Sequence, residues 1–197
     1  AGRCRDRPDL DRAGTGPDDN PQRFGNGRLV CELVRMSDEP QIRVVGFDER
    51  FAADFARLNY RWIEEHFSIE PHDRELLDAP FEKIVETGGE VFFALADGDV
   101  AGTVAMVRTD TNTYELTKMA VDPAFQGRGI ANHLMRACIE LAKANGVRTI
   151  FLETHSKLPA AIALYRKFGF VETPIDPGSQ YSRAEVRMEL AIADRSM

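Results

Sequence analysis

The stretch Val121-Asp122-Pro123-Ala124-Phe125-Gln126-Gly127-Arg128-Gly129-Ile130-Ala131 decides the fold: an apolar run stops, a glycine-bracketed turn follows, and an amphipathic helix begins at once. At a helix start several backbone N–H groups lack an intrahelical acceptor, and the macrodipole is positive there. Closely spaced glycines let a pyrophosphate come within hydrogen-bonding distance of that backbone, and Arg128 adds a mobile positive charge. The stretch reads as a cradle for a phosphorylated cofactor.

The loop differs from two better-known cradles. A Walker loop needs G-x-x-x-x-G-K-[ST], and no Lys-Ser or Lys-Thr follows these glycines. A dinucleotide fingerprint needs G-x-G-x-x-G, but Asn132 stands at the third glycine position. Glu153, near the end of the next apolar run, does sit roughly where a ribose-binding acid is expected, so a nucleotide-binding oxidoreductase stays open as a rival. What remains is Q-x-x-G-x-A, Gln126 to Ala131.

Working outward, periodicity predicts a helix after the loop, with Ile130, Leu134, Cys138 and Leu141 on one face and a stop at Asn145-Gly146. Thr113 to Val121 before it and Thr149 to Thr154 after it read as strands. Strand, loop, helix, strand makes a βαβ unit, whose two strands should lie parallel. Val91 to Ala96 and Val100 to Arg108 are β-rich runs joined by the hairpin signal Asp97-Gly98-Asp99, and Asp110-Thr111-Asn112 turns into the Thr113 strand. Towards the N-terminus, Ile42 to Phe47 reads as a strand and Glu49 to about His66 as a helix, with one or two short helices between Pro71 and Gly88. Pro159 to Phe168, closed by Gly169, is a further helix and Val186 to Leu190 a last strand. The fold class is a mixed α/β sheet.

Three segments together resemble the GNAT superfamily of acyl-CoA-dependent N-acetyltransferases. Gln126 to Ala131 is similar to its coenzyme A pyrophosphate loop. Tyr114-Glu115-Leu116-Thr117-Lys118-Met119-Ala120-Val121 is similar to the strand that feeds the loop, and Ala160 to Phe170 is similar to the signature A-x-x-L-Y-x-x-x-G-F. The resemblance covers Ile42 to Leu190. It implies a twisted, mostly antiparallel sheet with one splayed parallel strand pair, flanked by about four helices, and acetyl-CoA as cosubstrate in the splay.

The resemblance also assigns roles. Gln126, Gly127, Arg128, Gly129, Ile130 and Ala131 would contact the pyrophosphate, and Met119, Ala120 and Val121 would act through main-chain atoms on the pantetheine and the thioester oxygen. Glu115 is the candidate general base for the amine. Strand alternation puts it on one face with Thr117, Met119 and Val121, where apolar neighbours would raise its pKa; a solvated glutamate, or a partner for Lys118, is the alternative. Tyr165 is the candidate acid for the departing thiolate, since a phenol is protonated at neutral pH; packing beside Leu164 and Phe168 is its alternative. Positional analogy puts Asn59, Trp62, Glu65 and His66 beside the amine. Many relatives carry an asparagine shortly before the last helix; this chain has Lys157 and Leu158 there, and His155 reads as a ligand contact, an alternative base or, the preferred reading, an exposed strand-end residue. His66, Glu70, His72 and Asp73 cluster in sequence but fit no metal-ligand spacing, so they read as a polar helix terminus and no metal is expected.

Composition bounds the rest. Residues 1–35 hold seven Arg, five Asp and one Glu with almost no apolar periodicity, and are expected to be a disordered extension without a part in the chemistry. Met36-Ser37-Asp38-Glu39 reads like an ordinary protein start. Residues 36–197 form the expected acetyltransferase domain, with a net charge of −8 that argues against nonspecific nucleic-acid binding. Cys4, Cys31 and Cys138 form no C-x-x-C pair, and no long apolar span suggests a membrane, so a reducing cytoplasm is expected. The expected activity is acetyl transfer to a primary amine, on a small molecule or a peptide, by direct attack in a ternary complex. A catalytically inactive CoA-binding regulatory domain is the alternative, and a homodimer is left open.

Overall fold

Seven strands form one sheet in the order β1-β2-β3-β4-β5-β7-β6, in a computed structural model that describes residues 42–193. The expected extension, residues 1–35, lies outside the described residues. β1 (Arg43–Val45), β2 (Glu90–Ala96), β3 (Asp99–Arg108) and β4 (Thr113–Val121) run antiparallel in sequence. The two turns between β2, β3 and β4 fall where the Asp-Gly and Asp-Thr-Asn signals put them. β5 (Thr149–Thr154) pairs parallel to β4, and β7 (Val186–Ala191) pairs antiparallel to β5. The sequence reading lacks β6 (Val171–Thr173), three residues at the sheet edge with too little periodicity to stand out.

Each face of the sheet carries its own apolar cluster. On one face α1 (Ala52–His66) buries Phe55, Leu58 and Ile63 at helical spacing, and α2 (Pro71–Asp78) adds Leu76 and Leu77 over Val91, Phe93 and Ala105. On the other face α3 (Ile130–Ala144) buries Ile130, Leu134, Met135, Cys138 and Ala142 over Ala94, Val104, Met106, Tyr114 and Leu116. Each of these large side chains contributes about 1.5–3 kcal/mol by leaving water. α4 (Pro159–Lys167) completes the second face through Tyr165. Pro71 and Pro159 both occupy the first turn of their helices, where a missing N–H costs nothing.

Two features of this packing position the loop after β4. A Cβ on Gly102 would lie 2.8 Å from Ile130 Cγ2 and 3.0 Å from the Ala120 carbonyl, so only glycine lets the first turn of α3 rest this close to the sheet. The parallel pairing of β4 with β5 holds only for Thr113, Tyr114 and Glu115 against Thr149, Ile150 and Phe151. Beyond Glu115 the two strands part, and the edge of β4 from Leu116 to Val121 has no strand partner on that side among the described residues.

Candidate active site

The parting of the strands coincides with a bulge in β4. Thr103 pairs with Ala120 and Ala105 with Thr117, so Lys118 and Met119 together face the single residue Val104. Lys118 adopts φ +52, a left-handed conformation that costs an L-residue about 1–2 kcal/mol. Strict alternation would turn Lys118 toward α3, with Tyr114 and Leu116. Instead its ammonium reaches Asp73 of α2, at 2.7 Å from Oδ1, and donates to the Tyr181 hydroxyl at 2.8 Å. The expected shared face therefore holds for Glu115 and Thr117, which pair across from Val107 and Ala105, and is interrupted at the bulge. The physical reason is the extra residue, invisible to a period-two pattern.

Past β4 the chain makes a short turn, Pro123–Phe125, capped by Asp122, whose carboxylate accepts from the Ala124 N–H at 3.0 Å. Gly127 and Gly129 then adopt φ +78 and +79, and a Cβ on either would meet nothing within 4 Å. Conformation, together with open space in front of the backbone, is what these glycines supply. The N–H groups of Gly127, Arg128, Gly129, Ile130 and Ala131 donate to no group among the described residues, while Asn132 and His133 already bond back to the Gly129 carbonyl. Five successive donors thus stand at the positive end of a 15-residue helix. Ile130 is buried, so it contributes through its main chain alone; Arg128 is exposed and lies over the Phe125 ring at 5.2 Å.

A cavity of about 310 Å³ occupies the gap between β4 and β5. Gln126 and Ala131 from the loop, Met119 and Val121 from β4, and Leu158, Ala161, Leu164 and Tyr165 at α4 line one part of it. Trp62, Ile63 and Phe67 with Lys118, Tyr181 and Arg183 line the other. Asn59 and Trp62 border the cavity as positional analogy suggests; Glu65 and His66 do not. Lys157 does not line it either, whereas His155 does: its ring faces Phe67 at 5.4 Å, and its Nδ1 lies 3.1 Å from a Glu185 carboxylate oxygen. Glu153, the ribose-binding candidate, has its carboxylate beside Ser179 Oγ and Arg187.

Glu115 lies just behind this lining, half-buried, with its immediate neighbours Leu116 and Thr117 in the wall. Burial pushes its carboxyl above the ordinary range; the charges of Lys118, His72 and Arg187 pull it down and that of Glu153 pushes it up. Tyr165 is 9% exposed, and burial, with a contribution from Cys138, pushes its phenol up to about 12. It therefore keeps its proton at neutral pH.

The wall nearest α2 is assembled from residues far apart in sequence. Glu70 and Asp73 cap α2 reciprocally: the Glu70 N–H donates to Asp73 Oδ2 at 2.8 Å. Arg183 grips the fully buried Asp73 with Nη1 on Oδ2 at 2.8 Å and Nη2 on Oδ1 at 2.7 Å. The Ser182 N–H and hydroxyl both donate to Glu70. Burial alone would raise the Asp73 carboxyl, but the Arg183 hydrogen bonds and the nearby Lys118 outweigh it and hold it at about 2. Burial pushes the Lys118 ammonium down and the Tyr181 phenol up. The polar-terminus reading of Glu70 and Asp73 thus captures their capping and leaves out their charge partners. Tyr181 and Arg183 escaped the sequence reading, because they stand in a loop without periodicity or motif. Among the described residues no three His, Cys, Asp or Glu side chains converge to hold a metal, and no helix is long and apolar enough to cross a membrane.

Comparison with known proteins agrees with this geometry. The zebrafish (Danio rerio) N-acetylaspartate synthetase is 42% identical over 85 residues, covering 43% of this chain and 30% of that protein. The N-alpha-acetyltransferase RimI of Mycobacterium tuberculosis is 40% identical over 70 residues, covering 36% of this chain and 42% of that protein. The chain thus spans less than half the length of these two relatives. Among solved structures, a GNAT-family acetyltransferase of Staphylococcus aureus Mu50 superposes with a TM-score of 0.71 at 19% identity, covering 78% of this chain and all of that one. The yncA protein of Salmonella typhimurium, solved with its cofactor acetyl-CoA, superposes with a TM-score of 0.64 at 21% identity, covering 80% of this chain and 97% of that one. The sequence model of the acetyltransferase (GNAT) family matches residues 56–170, a span that runs from α1 through the bulged strand and the glycine loop to the end of α4, and the chain belongs to that family.

Proposed function

We propose that this protein transfers an acetyl group from acetyl-CoA to a primary amine by direct attack in a ternary complex. The observation that carries the reading is the row of five unpartnered N–H groups from Gly127 to Ala131 beside a cavity between two parting parallel strands. Oriented donors at a helix start bind a diphosphate. The unpaired edge of β4 offers main-chain groups of Met119, Ala120 and Val121 to an extended amide-bearing arm, as a sheet edge does to an added strand. Solved acetyl-CoA in a protein of the same fold supports that assignment of the donor.

In this reading the chain's residues act in a fixed order. Glu115, through a water, takes a proton from the attacking amine. A main-chain N–H at the bulge holds the carbonyl oxygen as charge develops on it. Tyr165, in the cavity wall, gives its proton to the departing thiolate.

The reading is tested by following release of free coenzyme A thiol from acetyl-CoA over a panel of amines. Tight acetyl-CoA binding with no thiol release on any amine would select the inactive CoA-binding alternative. Gly129→Asp is expected to weaken acetyl-CoA binding about 10- to 100-fold by calorimetry, because it sets a negative side chain and a disfavoured φ where the diphosphate must dock. Tyr165→Phe is expected to keep that affinity while turnover falls about 10- to 100-fold. Unchanged turnover would leave Tyr165 a packing residue against Phe170, whose ring centre is 5.9 Å away.

A further inference from the structure

Arg183 has two hydrogen-bonding edges, and the structure uses one of them. Its terminal edge is filled by Asp73, and Nη1 also donates to the Ser68 carbonyl at 3.3 Å. Nε donates to no group among the described residues, and Nη2 makes a single bond. The Nε/Nη2 edge is a planar fork of the shape that matches a carboxylate. Lys118 stands beside it: both cations donate to the same Asp73 oxygen, each at 2.7 Å, and the third ammonium hydrogen of Lys118 is not engaged among the described residues. Of the other acids nearby, Glu70 approaches Nη1 at 3.6 Å, on the side away from the fork, and is engaged by Ser182, while Glu153, also in the lining, is engaged by Ser179 and Arg187. Both Lys118 and Arg183 line the cavity, on the part opposite the glycine loop.

We propose that the acceptor is an amino acid, and that the Nε/Nη2 edge of Arg183, with Lys118 beside it, receives its carboxylate. This rests on the acetyl-transfer reading and narrows it to a substrate class. A polyamine or aminoglycoside has no carboxylate to fill the fork. A peptide N-terminus lacks a carboxylate next to its amine and leaves the fork unfilled. The Arg183 guanidinium is held in place for such a contact, stacked over Tyr181 at 4.9 Å and Phe67 at 5.7 Å, and the side chain is only 19% exposed. The amino-acid side chain then meets Trp62, Ile63 and Phe67.

The test compares matched pairs on the wild-type protein: leucine with leucinamide, phenylalanine with phenylalaninamide and phenethylamine, aspartate with its α-amide, and a tripeptide and spermidine as outliers. Thiol release is expected to favour the α-carboxylate in kcat/KM by about 10- to 100-fold. The amides carry the less basic, more often neutral amine and would win on reactivity alone. Arg183→Lys keeps a charge for Asp73 but loses the fork; it is expected to fold, checked by urea unfolding, and to shrink the acid-to-amide ratio at least 10-fold, mainly through KM. Equal or better turnover of the amides, the tripeptide or spermidine overturns the proposal and leaves acetyl transfer standing, as does an unchanged ratio in Arg183→Lys. Absence of thiol release on every amine, with acetyl-CoA bound, overturns both.

Discussion

Asp73→Ala is expected to lower the unfolding free energy by about 3–5 kcal/mol, read from the midpoint of urea denaturation, because it strips the counter-charge from two cations at once. Asp73 is 0% exposed, the Lys118 side chain 4%, and Arg183 is held on the same carboxylate. Glu70, 3.6 Å from Nη1, stays beside Arg183, but Lys118 loses the carboxylate it is hydrogen-bonded to, so the penalty is that of a buried charge left uncompensated rather than of a lost surface ion pair. The sign of the pH dependence follows. The folded-state carboxyl sits at about 2, below the ordinary 3.8, so its stabilisation is complete above about pH 4 and is lost as the pH falls toward 2. That contribution is about 2 kcal/mol at neutral pH, and the acid limb of the wild-type stability curve should be blunted in the variant. A cost under about 1 kcal/mol would mean that the ion cluster holds nothing together.

Glu115→Gln is expected to slow turnover by about 100-fold or more with acetyl-CoA affinity retained, because an amide keeps the shape but takes up no proton. Burial raises the Glu115 carboxyl, so the wild-type rate should fall on acidification at a pH above the ordinary glutamate range, and that limb should vanish in the variant. The sign follows from the role: a base must be deprotonated to act, and raising its pKa moves the inactive form to higher pH. His155 is the built-in control, since it lines the cavity while Glu115 stands behind the wall. If Glu115→Gln keeps both rate and acid limb, the base role passes from Glu115, and His155→Gln is the next variant to measure.

The glycine-loop side of the cavity was legible in the sequence because it is local. Gln126 to Ala131 follows directly on β4 and opens α3, so chain order alone brings loop, strand and helix together, and the Gly127 and Gly129 positions demand the left-handed backbone that their identity suggests. The strands Thr113–Val121 and Thr149–Thr154 were readable because apolar alternation is sharp where a strand buries one face more deeply than the other. The opposite wall, with Lys118, Tyr181 and Arg183, was not legible. A β-bulge has no periodic signature, and it redirects Lys118 against the alternation on which the strand was read. The Asp73–Arg183 and Glu70–Ser182 contacts join positions 110 and 112 residues apart, and nothing in either segment announces the other.

The segment between β6 and β7 is anchored by a few polar bonds to α2 and lies beyond residue 170, where the match to the family ends. In the proposed reading it would work as an exchangeable cover: lengthening or rewriting it would retune which amine is chosen while leaving the glycine loop intact, a division that would let one scaffold change its clientele without relearning its chemistry.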